Sequence, residues 1–470
     1  MSLDTYLAYE QIFEFKIILI LCKLLVSKYD VSITNPPYMG IKGMNRKISE
    51  YLKKHYKNSK TDLSAVFIEV LTKLTKENGF YSIINQQSWM FLSRYENLRK
   101  NILSSQTIYS MIHLGARAFE DIGGEVVQTP SFTNRNIKIE KFLTTYKRLV
   151  NYQNYSLKNK AFFEMENLFF VTQEFFNSFP GNTLSYWVNE KIKDIFNTDT
   201  KLEDVAEPRV GLQTGDNGRF LRLWYEVNKE KIGFGYPNNN LAEASRKKWF
   251  PYNKGGYYRK WYGNLESVVN WEKDGKEIKE FGHYLNSIKP ASSRMGIANN
   301  SEFYFQEGLT WSKVTSGNFS SRYIPNGTLF DVGGTSMFNL NEELMPMCGF
   351  LNTNVFREFV SSISATLNYE VGVIRKIPYI QVRNLPIYKQ IKKITLENIK
   401  IAKEDWDSFE TSWDFRQHPW ISFAKVNNVN NLDEIFNIWS KHLNFCFSLL
   451  KSNEENLNYI FIDLYKLKEI

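Results

Sequence analysis

The sequence predicts a mixed α/β amino-terminal half, then a β-rich region, then a helical carboxyl-terminal region. Three observations carry that prediction. A short β-branched run, Val31-Ser32-Ile33-Thr34, stops at Asn35-Pro36-Pro37-Tyr38; a helix-to-strand unit follows over 61–84; and beyond residue 200 the texture changes to short β-like runs broken by turn clusters.

The elements follow in chain order. Residues 11–26 are apolar at mixed helical spacing. The stretch 17–26 is about half of the roughly 20 residues a spanning helix needs, and Lys16 and Lys23 interrupt it, so it reads as a buried helix. Asp4, Glu10 and Glu14 stand where a signal peptide would be basic, so secretion is not expected. After the first strand, Thr61-Asp62 caps a helix with apolar Leu63, Val66, Phe67, Val70, Leu71 and Leu74. Asn78-Gly79 is read as its end, before the strand 80–84. Another helix over 92–103 and an apolar strand over 108–114 extend this βαβ rhythm, predicting a mostly parallel sheet to about residue 140. The domain reading is 1–150 for this α/β part, 151–200 for a helical connector, 201–385 for the β-rich (α+β) domain and 386–470 for the helical region. In the last of these, 445–464 reads as a helical pair split near Asn453.

Composition narrows the class of function. The 470 residues are 43% hydrophobic and 16% aromatic, enough to fill several cores, which excludes wholesale disorder. A net charge of +9 favours a polyanionic partner. The three cysteines, Cys22, Cys348 and Cys446, are far apart, and the five histidines form no HxxxH or HxH spacing. No disulfide framework and no metal site are therefore expected, and a reducing cytoplasm fits best.

Asn35-Pro36-Pro37-Tyr38 is the segment richest in chemistry. Two successive prolines fix the backbone directly after a strand and point an amide side chain and a carbonyl at one space. A planar exocyclic amine, such as that of adenine, donates two hydrogen bonds. Accepted at Asn35 Oδ1 and the Pro36 carbonyl, they draw the lone pair out of ring conjugation and make the nitrogen nucleophilic. Tyr38 offers a face on which an extruded base stacks. The plain alternative is a Pro-Pro turn ending a strand.

Farther on, residues 247–262 interleave five basic with seven aromatic residues around Gly255-Gly256. Lys247, Lys248, Arg259 and Lys260 suit phosphate contact, and Trp249 and Tyr257 suit stacking; a solvated basic hairpin with its aromatics turned inward is the alternative. Thr214, Asn217 and Arg219, in a Gly-Asp turn, are further candidates for contacting nucleic acid, with an ordinary hairpin turn as the competing reading. Arg294, Lys313 and Arg322 are weaker ones.

Several segments together resemble a family. Tyr29-Asp30-Val31 through Asn35-Pro36-Pro37-Tyr38-Met39-Gly40, residues 60–69, Gln87-Ser88-Trp89-Met90-Phe91-Leu92, 113–119 and 123–129 are similar to adenine-specific DNA methyltransferases, most of all the large PglX-type enzymes of BREX phage-defence systems. More distant relatives are fused type II restriction and modification enzymes. Residues 211–217 with Arg219-Phe220, the stretch 248–261 and Ser412-Trp413-Asp414-Phe415 extend the resemblance over nearly the whole chain. It implies a partial Rossmann-like methyltransferase sheet, Asn35, Pro36, Pro37 and Tyr38 as the target-amine loop, S-adenosylmethionine as methyl donor, duplex DNA as substrate, and a target-recognition domain beyond residue 200. In that family a glycine-rich cofactor loop and an acidic ribose ligand lie upstream of the amine loop by much more than 34 residues. The cofactor-binding residues are therefore unassigned, and Gly115 with Gly123-Gly124 is a weak substitute. The expectation is a chain truncated at both ends relative to the family, complemented by another methyltransferase fragment or acting as a DNA-recognition subunit alone.

Overall fold

The structure is a computed structural model; it describes residues 3–119, 127–198, 200–289, 294–315, 317–364 and 368–468, with side chains from residue 12 onward. The chain divides into two compact units, 1–193 and 194–470.

Unit one is built on a six-stranded sheet. Its strands are β1 (Tyr29–Thr34), β2 (Thr75–Ile84), β3 (Thr107–Ala116), β4 (Gln128–Arg135), β5 (Thr144–Arg148) and β6 (Leu168–Val171), in the order β1-β2-β4-β3-β5-β6. β1 pairs with β2 in parallel, with Val31 opposite Phe80 and Thr34 opposite Ile83. The helix Leu63–Leu74 makes the crossover, and its apolar stripe, Val66, Ile68 and Leu71, is buried. The expectation of a mostly parallel sheet is corrected: β4 runs antiparallel to both its neighbours, β2 and β3, and β6 antiparallel to β5. The stretch 151–200, read as a helical connector, holds the helix Tyr155–Phe163 but also supplies strand β6.

Three local readings change. The crossover helix ends at Leu74, where Thr75 turns extended and pairs with Tyr29, so Asn78-Gly79 lies within β2 as an irregularity rather than at a helix end. Asn78 there takes a left-handed φ of 66°. Helix Leu3–Val26 forms, but every described side chain from Ile12 to Val26 is exposed, so it is not the buried helix expected. Leu432–Leu464 is one continuous helix, not a pair split at Asn453. The Asn453 amide donates to Glu397 Oε2 at 3.2 Å, so its side chain bonds across to the neighbouring helix rather than competing with its own backbone.

Two four-stranded sheets are formed by the described strands of unit two. These are β7 (Glu207–Arg209), β8 (Leu221–Leu223), β9 (Trp249–Asn253), β10 (Ser267–Asn270), β11 (Gly308–Trp311), β12 (Ser321–Ile324), β13 (Leu329–Phe330) and β14 (Ser336–Phe338), ordered β13-β9-β10-β8 and β12-β11-β14-β7. Phe250, Tyr252, Trp271, Tyr304, Phe330 and Phe338 are among the side chains of its buried aromatic core. The helices Leu344–Leu351, Tyr388–Asp407 and Leu432–Leu464 pack on one another in the carboxyl-terminal part. Among the described residues no helix is long and apolar enough to cross a membrane.

Gly115 closes β3 at a φ of +72°, and a Cβ there would sit 2.8 Å from the Val150 Cα. Gly115→Val combines a left-handed β-branched residue with a backbone clash, and urea unfolding is expected to show a loss of roughly 2–5 kcal/mol. A loss below about 0.5 kcal/mol would mean the turn relaxes freely.

Candidate active-site loop and candidate nucleic-acid contacts

Asn35 begins the loop that leaves the carboxyl end of β1, beside the end of the parallel neighbour β2. This edge of parallel strands is where α/β sheets bind ligands. Asn35 is exposed, Pro36 is buried and anchors the turn, Pro37 is exposed, and Tyr38 is half-buried. The loop is held on its far side as well. Leu63 N donates to Met39 O at 3.0 Å, and Ile41 N donates to Thr61 O at 3.0 Å. Gly40 bridges Asp62, and Asp62 Oδ1 accepts from Ser64 N at 2.8 Å, capping the crossover helix. The residue that starts the helix thus also braces the loop.

The Tyr38 hydroxyl is buried without a hydrogen-bond partner. Burial pushes its pKa up to about 12, so the phenol stays neutral. An orphaned buried hydroxyl costs about 1–3 kcal/mol and is found where something other than stability is at stake. Behind the loop, Asn85 follows β2 in the core; its side chain donates to Ser64 O at 3.3 Å and accepts from Trp89 Nε1 at 3.2 Å.

His113 on β3 is buried between Gln87 and Tyr186, with Nε2 2.5 Å from Gln87 Oε1 and Nδ1 2.9 Å from the Tyr186 hydroxyl. Burial, with Arg148 and Lys158 nearby, holds its pKa down at about 3. It works as a neutral crosslink, not as an acid or base near neutrality.

The weak substitute for a cofactor loop does not fit a nucleotide at its described end, because Val150 fills the space against Gly115. Gly123 and Gly124 lie outside the described residues. The donor-binding residues stay unassigned.

In unit two, the basic and aromatic stretch divides. All five residues of β9, Trp249 included, are buried. Arg259 donates to the Tyr262 carbonyl, pairs with Asp405 and lies 5.1 Å over the Trp406 ring. Lys260 reaches Glu454 at 2.8 Å, and the Trp261 indole donates to the same carboxylate at 2.8 Å. These side chains brace the unit from within. Tyr257 is 92% exposed, and Lys247 and Lys248 are partly exposed, Lys247 donating to the Glu230 carbonyl. Arg322 is buried, with its guanidinium donating to the Arg259 carbonyl at 3.2 Å, which removes it from direct contact with a polyanion. Lys313 pairs with Glu370 at 3.1 Å, and Arg294 donates to the Asn286 carbonyl.

Thr214 and Asn217 are joined by a 2.6 Å hydrogen bond and line a small cavity with Gln213, Met295 and Asp331. The segment is not a hairpin: Asp216 accepts from Arg219 N and opens the one-turn helix Asn217–Phe220. Arg219 pairs with Glu277 at 2.7 Å and lies over the Phe220 and Phe281 rings.

Residues 5–119, which include the loop at the carboxyl edge of β1, match the model of the Eco57I restriction-modification methylase family. Over 461 residues, 95% of its length, the chain is 40% identical to the adenine-specific methyltransferase PglX of Lacticaseibacillus casei (strain Zhang), and over 450 residues 36% identical to BrxX of Escherichia coli O9:H4 (strain HS). The chain spans only 37% and 34% of those two proteins. A solved structure of the Type IIL restriction-modification enzyme MmeI, in complex with DNA, shares the fold with a TM-score of 0.58 at 12% identity, covering 94% of this chain and 55% of that one.

The low pKa of His113 sets a pH dependence. The folded value of about 3 lies below the roughly 6.5 of an unfolded imidazole, so the unfolded chain binds the extra proton first and stability falls as pH drops below about 6.5. Between pH 7.5 and 5 this one group is expected to cost on the order of 2 kcal/mol. His113→Asn should lose that share of the acid-side decline in urea unfolding; an identical decline in both proteins would show that His113 is protonated without penalty.

Proposed function

We propose that this chain carries the amine-activating loop and the DNA-recognition region of an adenine-specific DNA methyltransferase. The reaction is transfer of a methyl group from S-adenosylmethionine to the exocyclic amine of adenine in duplex DNA, within restriction-modification or BREX phage defence in the cytoplasm. The observation that carries the reading is the placement of Asn35: exposed, at the carboxyl end of a parallel strand, on a backbone fixed by buried Pro36 and clamped to the cap of the crossover helix. Asn35 Oδ1 and the Pro36 carbonyl accept the two amine hydrogens, and Pro37 keeps the turn rigid. The Tyr38 ring stacks on a base taken out of the duplex.

S-adenosylmethionine supplies an electrophilic methyl when bound. The described residues do not assemble its site, so the part assigned to this chain is to present and polarise the amine. A complementing methyltransferase fragment is the partner proposed for the rest; the place of β1 at the edge of the sheet among the described residues and the exposed apolar side chains of residues 12–26 support that partnership. In unit two, a target-recognition role is proposed for Lys247, Lys248 and Tyr257 at the surface and for Thr214, Asn217 and Arg219 beside their cavity. Trp249, Arg259 and Lys260 are assigned to hold that surface in place.

A radiolabelled methyl-transfer assay on duplex DNA, with the donor-binding fragment supplied, tests the reading. Asn35→Ala is expected to abolish transfer with DNA affinity nearly unchanged, because the amide acts on the amine and not on phosphate. Tyr38→Ala should be milder, since stacking holds the base without polarising it. Undiminished turnover by Asn35→Ala would sink the proposal.

Salt dependence tests the DNA contacts. Lys247→Ala with Lys248→Ala should weaken binding and flatten the salt slope by roughly one to two counterions. Arg259→Ala with Lys260→Ala should instead lower the thermal stability of unit two. A slope unchanged by the first pair would remove those lysines from the interface.

A further inference from the structure

Apart from the amine loop, one cluster in unit two has the chemistry of metal ligands. His442 and Cys446 lie four residues apart on the helix Leu432–Leu464, one turn, and so share a face. Glu404 on the helix Tyr388–Asp407 meets them from across the groove. His442 Nε2 stands 2.7 Å from Glu404 Oε1 and 3.5 Å from Cys446 Sγ, and all three donor atoms lie within 4.8 Å of one another. The spacing is informative. Bonds of about 2.3 Å to sulfur and about 2.0 Å to nitrogen, at tetrahedral angles, put the two ligand atoms of one zinc ion about 3.5 Å apart. The histidine and cysteine already have that separation. Glu404 needs to back off by about half an ångström from hydrogen-bond to co-ligand distance, and its side chain, 52% exposed, has room to do so. All three residues line a cavity of about 990 Å³ whose walls include Phe409, Trp439 and Phe447.

We propose that Glu404, His442 and Cys446 form a zinc site that ties the helices Tyr388–Asp407 and Leu432–Leu464 together. The fourth coordination position faces the cavity and is filled by water or by a donor group entering it. A thiolate with an imidazole selects Zn²⁺ over the hard cations Mg²⁺ and Ca²⁺. Binding displaces the thiol proton, which leaves to solvent, and one carboxylate and one thiolate then neutralise the dication. The competing account is a plain Glu404–His442 hydrogen bond beside an unrelated cysteine.

Cobalt(II) is the probe, because a tetrahedral site with a thiolate gives it visible ligand-field absorption and a thiolate-to-metal charge-transfer band. The untagged, chelator-treated full chain is used in a Cys22→Ser background, since Cys22 is exposed and Cys348 is buried. One equivalent of Co²⁺ is expected to develop both bands, and Zn²⁺ to bleach them and raise the melting temperature. Cys446→Ser should eliminate the charge-transfer band with the circular dichroism unchanged, and His442→Ala should weaken Zn²⁺ binding at least tenfold by calorimetry. An octahedral cobalt spectrum, or bands that persist in Cys446→Ser, would overturn the site. If His442→Ala fails to fold, the Cys446→Ser spectrum alone decides.

Discussion

The parallel pairing of β1 with β2 is the constraint on which the position of the loop Asn35-Pro36-Pro37-Tyr38 depends. Thr34 stands opposite Ile83, one residue before β2 ends, so Asn35 leaves the sheet level with Ile84, the last residue of its parallel neighbour. A strand slipped by one residue would turn its alternate face to the core, and Asn35 would no longer be the first residue beyond the edge. Register alone would still leave a loop free to swing. Asp62 removes that freedom: its backbone bridges Gly40 while its carboxylate caps the crossover helix. One residue therefore fixes both the helix that makes β1 and β2 parallel and the loop those strands present.

The α/β rhythm from β1 through the crossover helix was legible because each step has a local signal: a β-branched run, a proline pair, an Asp cap, an apolar helical stripe. β4 had none. It is a central strand of polar composition, Gln128 to Arg135, with Pro130 inside it, and a proline argues against a central strand because it lacks an N–H. The structure accommodates it at an irregularity, where Pro130 stands opposite His113 and the register shifts before Gly115. The Pro130 carbonyl is still used, accepting from Asn85 N at 3.2 Å. A strand whose defect is absorbed by a bulge in its neighbour cannot be read from its own residues.

The basic and aromatic stretch shows the complementary difficulty. Its composition was plain, but composition does not say where a charge goes. Arg259 finds Asp405 and Lys260 finds Glu454, carboxylates 146 and 194 residues along the chain, and no local pattern announces such pairs. The residues of the proposed zinc site stand between these cases. His442 and Cys446 are one helical turn apart in the sequence, a mixed pair that neither the spacing of the cysteines nor that of the histidines displays by itself. Glu404, 38 residues before His442, becomes their neighbour only through helix packing.

Two exposed apolar surfaces on consecutive elements bear on the amino-terminal unit. Val26 is 80% and Ile33 75% exposed, and over residues 12–26 the helix preceding β1 exposes apolar side chains on every face. A soluble helix is expected to be polar on the side away from its core, and a sheet edge to be guarded by charge or covered. The ion pair Asp30–Lys76 is the guard recorded at this edge, and a pair so exposed contributes little. A body adding a strand beside β1 would take up its free backbone groups, cover Val31 and Ile33, and give the helix a surface to lie on. It would also stand next to Asn35, where the proposed reaction needs the methyl donor. The surfaces that look like defects of the unit by itself thus lie where the proposed reaction requires a second set of residues.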